Sequence, residues 1–268
     1  MTATTELCHA TADEIVVRGK SLPRELIGRR TFTELIHLAL TGREPTAAQT
    51  AVLDACLVTL MEHGLTPSAI ATRLVYGSAP EAMQGAVAAG LLAVGSVFVG
   101  TTEGCAALLA RVVRSPDSAA EAAAIVAEAR AAGARLPGFG HPVHRPVDPR
   151  TVALLALARE VGGHGAHCEA LAALSAAVDA AAGKPVPVNA TGAVAALLCD
   201  AGLPPAILRG IALISRCAGL VAHVREEQET PAMRALWEAG EAAVPYQPGA
   251  PAPAPAPDAA PEPDEGAR

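Results

Sequence analysis

Aromatic side chains are scarce in this 268-residue chain, which holds one Trp, two Tyr and three Phe. Its core cannot be built on rings and must come from Ala, Leu, Val and Ile, whose small side chains let helix axes approach closely. Excess positive charge is also lacking: 20 Lys and Arg stand against 27 Asp and Glu, a formal net charge of −7. No Lys/Arg cluster breaks that balance, which argues against nucleic acid as a partner. A local cationic pocket remains compatible with it. The first twenty residues lack a basic stretch followed by an apolar one, the mark of a secretory leader. The longest apolar run, "AVAAGLLAVGSVFVG" (86–100), is too short to span a bilayer and reads as a core helix leading into a loop. Six cysteines (Cys8, Cys56, Cys105, Cys168, Cys199, Cys217) show no paired spacing and sit mostly in apolar helical patterns, as reduced structural thiols do. A cytoplasmic protein with no membrane role is expected.

Helical periodicity fills most of the chain. "PRELIGRRTFTELIHLALTG" (23–42) carries apolar residues at helical spacing and stops at Gly42, and "TAAQTAVLDACLVTLMEHG" follows Thr46 as a candidate N-cap and ends at Gly64. Similar segments recur to about residue 229, several with Ser, Thr or Asp at the start and Gly at the end. Strand candidates are few: "EIVVRG" (14–19) and the weaker "PVPVN" (185–189). The fold class expected is all-α. From residue 247 to 268 alternating Pro and Ala with acidic residues predict a disordered acidic tail.

One stretch breaks the pattern: "GFGHPVHRPVDPR" (138–150). Gly138 and Gly140 permit positive φ or close backbone approach. Asp148 before Pro149 reads as an N-cap with proline at the first helical position. Arg150 in that first turn opposes the helix dipole, so it calls for an anionic ligand or a buried acidic partner. His63, before Gly64, suits a helix C-terminus. His141 and His144, and likewise His164 and His167 with Cys168, stand at spacings seen in zinc sites, but a complete site needs three or four ligands and no matching cluster follows. No metal is expected. Cys168 and Cys217 lack the sequence context of a nucleophile, and Arg73 can face either a cleft or solvent.

These residues resemble a known signature. "GFGHPVHRPVDPR" is similar to the GxGHxxxxxxDPR motif of the citrate synthase family. "FTELIHLALTGREPT", "MEHGLTPSAIATRLV", "VAAGLLAVGSVFVGTTEG" and "ISRCAGLVAHVREE" resemble further family segments in the same order, over roughly residues 5 to 230. The chain's length looks more like the compact citryl-CoA lyase type, including the module at the end of ATP-citrate lyases. The resemblance implies an all-helical homodimer with a large domain (1–100 and 202–246) and a small one (101–201), the active site lying between them. It implies coenzyme A (CoA) or acetyl-CoA with oxaloacetate, or citryl-CoA, as substrates or products, and no permanently bound cofactor. The all-apolar helices 50–62 and 85–98 fit a dimer interface.

The resemblance also implies roles. His63 matches the histidine that binds the oxaloacetate or citryl group, and His141 the one that hydrogen-bonds the carbonyl oxygen. Arg150 and Arg216 match arginines that clamp carboxylates, a task suited to planar guanidinium groups. Pro137, Gly138, Phe139 and Gly140 match the loop against the adenine end of CoA, and His223 a position mainly structural. Two departures stand out. Phe98 occupies the position of the histidine on the enolate side, a replacement the lyase modules share. Thr191, in "VNATG", stands where the family's catalytic aspartate belongs. Thr cannot act as a carboxylate base, so Thr191 and Asn189 are expected to hold the enolate oxygen or orient a water, and cleavage is favoured over condensation. The alternatives are a non-catalytic CoA-binding member and an enzyme for a larger substrate resembling 2-methylcitryl-CoA.

Overall fold

A computed structural model describes residues 2–95, 100–141 and 143–247. A small antiparallel sheet opens the chain: β1 (Cys8–Ala10), β2 (Ile15–Val17) and β3 (Lys20–Ser21), in that order. Eleven helices come after it among the described residues: α1 (Phe32–Thr41), α2 (Ala47–Met61), α3 (Pro67–Ser78), α4 (Met83–Leu92), α5 (Thr101–Arg114), α6 (Ser118–Ala131), α7 (Pro149–Glu160), α8 (Ala166–Ala182), α9 (Ala190–Asp200), α10 (Leu208–Glu229) and α11 (Met233–Ala243). The all-α expectation holds, with the sheet a minor addition. "EIVVRG" supplies β2, and "PVPVN" contributes one bridge, Phe139 to Val188.

Local chemistry sets the helix starts. Thr31 with Glu34, and Thr46 with Gln49, form reciprocal capping boxes on α1 and α2. The first of these corrects the expected helix over 23–42. Leu22–Leu26 is a separate π-helical turn, Gly28 turns the chain at positive φ, and α1 starts only after Thr31. The expected core helix over 86–100 stops at Leu92, and residues 96–99, Phe98 among them, lie outside the described residues. So does the tail from residue 248.

Small residues decide how closely the helices pack. A Cβ at Gly90 of α4 would sit 2.1 Å from Thr72 Oγ1 of α3 and 2.6 Å from Leu220 Cδ1 of α10, so only glycine admits this three-helix contact. One cluster of buried side chains, almost all aliphatic, runs from Ile36 through α2, α5, α6, α7, α8 and α9 to Ala212 in α10. A smaller one joins Ala86, Val87, Leu220 and Val224. Helix α10 with its preceding turn (205–229) is long and apolar enough to cross a membrane by length and composition alone. Here it packs against α2, α3, α4 and α5, and half of its most apolar window is buried inside the protein. All six cysteines are unpaired, and burial pushes the Cys105 and Cys168 thiols up to about 12, which leaves them inert as nucleophiles.

His167 belongs to a cap. Asp200, at the end of α9, accepts hydrogen bonds from the backbone N–H of Gly165, His167 and Cys168 at the start of α8, and pairs with His167 Nδ1 at 2.9 Å. Burial alone would raise its pKa, but these bonds outweigh burial and bring it down to about 2. A depressed carboxylate stabilises the fold above its unfolded pKa near 4 and loses that contribution as pH falls through 2. Asp200→Asn should therefore cost on the order of 2 kcal/mol at pH 7. Its deficit relative to wild type should vanish between about pH 4 and 2, as read by urea denaturation across pH.

Candidate active site

Three helices begin around one pocket. Thr66, Pro67 and Ser68 at the start of α3, Arg150 at the start of α7, and Asn189, Ala190 and Thr191 at the start of α9 all line it. His63, His141 and Arg216 complete its polar wall, while Leu60, Ala93 and Val94 make an apolar side. Helix N-termini present partial positive charge. The two expected imidazoles and two expected guanidinium groups, up to 153 residues apart in the chain, thus meet in one cavity with three such ends.

Asp148 organises half of this wall. Its side chain is completely buried; Oδ1 accepts from the backbone N–H and Nε of Arg150 at 3.0 Å each. Oδ2 accepts from Arg150 Nη2 at 2.7 Å and from Ala190 N at 3.2 Å. One carboxylate therefore caps α7, reaches the first N–H of α9 and holds the guanidinium between them. Burial raises its pKa, but the Arg150 bonds outweigh burial and hold it below the usual carboxylate range. The N-cap expected at Asp148 and the acidic partner required by Arg150 are the same group.

His141 has its tautomer fixed by its neighbours. Nδ1 accepts from the N–H of Val143 at 3.1 Å and of His144 at 3.0 Å, so the ring proton sits on Nε2. Nε2 lies 3.3 Å from Arg150 Nη2. Both groups line the central pocket, where each can donate to an acceptor oxygen. Arg216 is 5 % exposed, and its buried Nε and Nη1 have no hydrogen-bond partner among the described residues. Burial pulls its pKa below the usual value, opposed by the charge of Glu62. An orphaned buried guanidinium fits a carboxylate-bearing ligand.

His63 follows the C-cap of α2, with its ring centroid 6.1 Å from those of both His141 and His144; the latter two stack at 4.4 Å. The fold thus supplies the third imidazole that linear spacing could not show, and one nitrogen from each of the three rings lies within 4.8 Å of the others. Their chemistry suits an anion rather than a metal ion: His141 Nδ1 is taken by backbone donors, its Nε2 carries the proton, and Arg150 and Arg216 repel a cation. Thr191 and Asn189 are committed to each other. Thr191 Oγ1 donates to Asn189 Oδ1 at 2.7 Å and lies 3.0 Å from Thr101 Oγ1. Asn189 caps α9 through Gly192 N at 3.1 Å and donates to Gly140 O at 3.0 Å.

The expected CoA loop divides. Gly138, at φ 91°, is buried; a Cβ there would meet Cys105 Sγ at 2.6 Å, and its carbonyl accepts from Asn189 N at 3.0 Å. Pro137 packs beside Gly104. These two residues anchor the loop, whereas Phe139 and Gly140 line a groove on its outer side. Arg130, Arg135 and Arg145 border that groove, and Lys184 a neighbouring one with Arg145. Both grooves share Gly140 and His141, and His141 also lines the central pocket. Sequence reading missed this basic border because its residues are dispersed from 130 to 184.

Burial lowers the pKa of both His63 and His141, and the charges of Arg150 and His144 lower it further. A histidine with a depressed folded pKa stabilises the fold fully above its unfolded value near 6.5 and loses that contribution as pH falls below it. Ring NMR titration should place both histidines below that value in the ligand-free protein and shift them up when a dicarboxylate binds. Ordinary values unmoved by dicarboxylate would contradict this electrostatic picture.

Comparisons with known proteins agree with the geometry. The family model for the citrate synthase C-terminal domain matches residues 2–236. The citryl-CoA lyase of Hydrogenobacter thermophilus superposes with a TM-score of 0.84 at 32% identity, covering 95% of this chain and 98% of that one. The ATP citrate lyase of Methanothrix soehngenii, solved with citrate and coenzyme A, shares the fold at a TM-score of 0.75 and 18% identity, over 93% of this chain and 42% of its own. The citrate synthase of Acidithiobacillus ferridurans is 28% identical over 197 residues, 70% of this chain and 49% of its own, so the chain spans about half the length of that relative. The chain belongs to the citrate synthase family.

Proposed function

We propose that the chain cleaves citryl-CoA, or a close 3-carboxy-3-hydroxyacyl-CoA analogue, to acetyl-CoA and oxaloacetate. The observation that carries this reading is the unpaired buried guanidinium of Arg216 opposite Arg150, with the protonated Nε2 of His141 between helix N-termini. Arg150 and Arg216 take the carboxylates, and His141 Nε2–H and Arg150 hold the oxygen that becomes the keto oxygen, where charge builds as the carbon–carbon bond breaks. The neutral His63 imidazole accepts the proton of the tertiary hydroxyl. The bonding pair moves onto the thioester as an enolate, and a proton from water completes acetyl-CoA while His63 returns its own to solvent.

The basic grooves beside Phe139 and Gly140 suit the phosphates and adenine of CoA, with Arg130, Arg135, Arg145 and Lys184 as phosphate partners. The expected large and small domains and the cytoplasmic location belong to the same reading. So does the homodimer: Val58 on α2 is 69% exposed and Leu92 on α4 86%, apolar surface that a second copy would cover.

With Thr191 in place of a carboxylate, proton transfer at the thioester Cα slows in both directions by microscopic reversibility, and cleavage suffers less where carbon–carbon bond breaking sets the rate. A positioned base that removes the thioester Cα proton is worth ~10²–10⁴-fold in rate, and the Thr191 hydroxyl, already donating to Asn189, cannot replace it. Wild-type protein, sedimenting as a dimer, should release oxaloacetate from citryl-CoA about 10²-fold faster than His141→Ala. Thr191→Asp should raise condensation of acetyl-CoA with oxaloacetate by at least about tenfold. No release above the His141→Ala control would overturn the reading. Tight binding of oxaloacetate and CoA without turnover would favour the non-catalytic alternative, which the missing carboxylate keeps in play.

A further inference from the structure

Helix α10 carries one polar stripe through the core. Arg216, Gly219, His223 and Glu227 recur at spacings of three and four, so they share a face. Arg216 enters the pocket. At Gly219 the helix rides directly over the end of α2: a Cβ would stand 2.1 Å from Met61 O and 3.1 Å from Glu62 Oε2. One turn further on the same face, His223 meets the same residue, its Nε2 2.9 Å from Glu62 Oε2.

The polarity of this contact is fixed from behind. Arg73 of α3 is 4% exposed and fully committed. Its Nε donates to His223 Nδ1 at 3.0 Å, its Nη1 to Glu227 Oε2 at 2.9 Å, and its Nη2 pairs with Glu226. Glu227 is held in turn by the N–H groups of Ala232 and Met233 at 2.7 Å each. Because Arg73 can only donate, His223 Nδ1 must carry the lone pair and Nε2 the proton; Nε2 is buried without an aligned hydrogen bond and meets Glu62 Oε2 as a close electrostatic contact. The other Glu62 oxygen, Oε1, accepts from the N–H of His63 and of Gly64, both at 2.7 Å. A chain of polar contacts, two hydrogen-bonded links joined by the His223–Glu62 electrostatic contact, therefore runs from a buried arginine to the backbone of a residue that lines the pocket.

We propose that Arg73, His223 and Glu62 are positioning residues that fix the His63 imidazole in the substrate pocket. None of the three lines that pocket, so they act on the reaction through His63, and through the charge that Glu62 sets against Arg216. This inference rests on the reading that His63 meets the substrate. The arrangement explains why charged groups lie buried between α3 and α10, where packing alone would use apolar side chains. It also explains why the loop after α2 holds its shape with His63 itself exposed.

Three variants separate positioning from mere support. Glu62→Gln brings an amide donor, or a neutral carbonyl in place of a carboxylate, against the His223 Nε2 proton. His223→Asn keeps an acceptor for Arg73 but does not reach Glu62, whereas His223→Gln extends an N–H to Glu62. Glu62→Gln and His223→Asn should each lower kcat for citryl-CoA cleavage by about tenfold or more, with KM within about twofold, and His223→Gln should return kcat to within about threefold of wild type. In the ligand-free protein the His63 ring NMR signal should move toward its random-coil position in the first two variants and recover in His223→Gln. Equal losses in both His223 variants, or an unmoved His63 signal in Glu62→Gln, overturns the proposal. If wild type turns over no citryl-CoA, the functional reading fails in the control, and the ring signal alone decides the relay.

Discussion

The site depends on a carboxylate removed entirely from water. Asp148 is surrounded by the N-terminal N–H groups of two helices and by the guanidinium of Arg150. A charge in such a place is tolerated only because every partner is a donor and the geometry is held by the helices themselves. In return the carboxylate fixes Arg150 relative to His141 and sets the spacing of α7 and α9 across the pocket. Arg216 is the opposite case, a buried cation whose Nε and Nη1 find no hydrogen-bond partner among the described residues. The contrast leaves unmatched positive charge on the Arg216 side of the pocket.

Helix α10 unites stability and function. Its apolar residues Ile211, Ala212, Leu220 and Val224 are fully or almost fully buried, while its polar stripe reaches the pocket, the turn after α2 and the start of α11. An aromatic-poor, Ala- and Gly-rich composition permits the close contacts at Gly219 and Gly90, since larger side chains would push the helices apart. The turn that presents His63 therefore inherits its position from long-range packing as much as from its own sequence.

Much of the fold was legible because it is written locally. Thr31, Thr46, Asp117, Asp148 and Asn189 cap the helices that begin after them, and Gly42 and Gly183 end theirs. The start of α1 was misread because "PRELIGRR" continues a helical period that the Thr31 capping box overrides. β1, "CHA", carries no β-branched residue and is formed only by pairing with β2. Of the site, the GFGHPVHRPVDPR signature exposed His141 and Arg150, whereas the approach of His63 to His141 and His144, the basic groove and the Arg73–His223–Glu62 chain depend on contacts between distant residues or on dispersed charges. His167, at a spacing that also occurs in zinc sites but lacking further ligands in sequence, is part of a cap, because Asp200 arrives from another helix. Two-residue and three-residue spacings report local chemistry; they say nothing about the groups that the fold brings alongside.

The central claim is that Arg150 and Arg216 together receive the two carboxylates of one ligand. Titration calorimetry with oxaloacetate, and with pyruvate as the same keto acid lacking one carboxylate, tests it most directly. The account predicts one oxaloacetate per chain, bound at least about tenfold more tightly than pyruvate, as loss of a charged hydrogen-bonded partner worth ~1.5–3 kcal/mol requires. Equal affinity for the two acids, or no saturable binding of oxaloacetate, would contradict it.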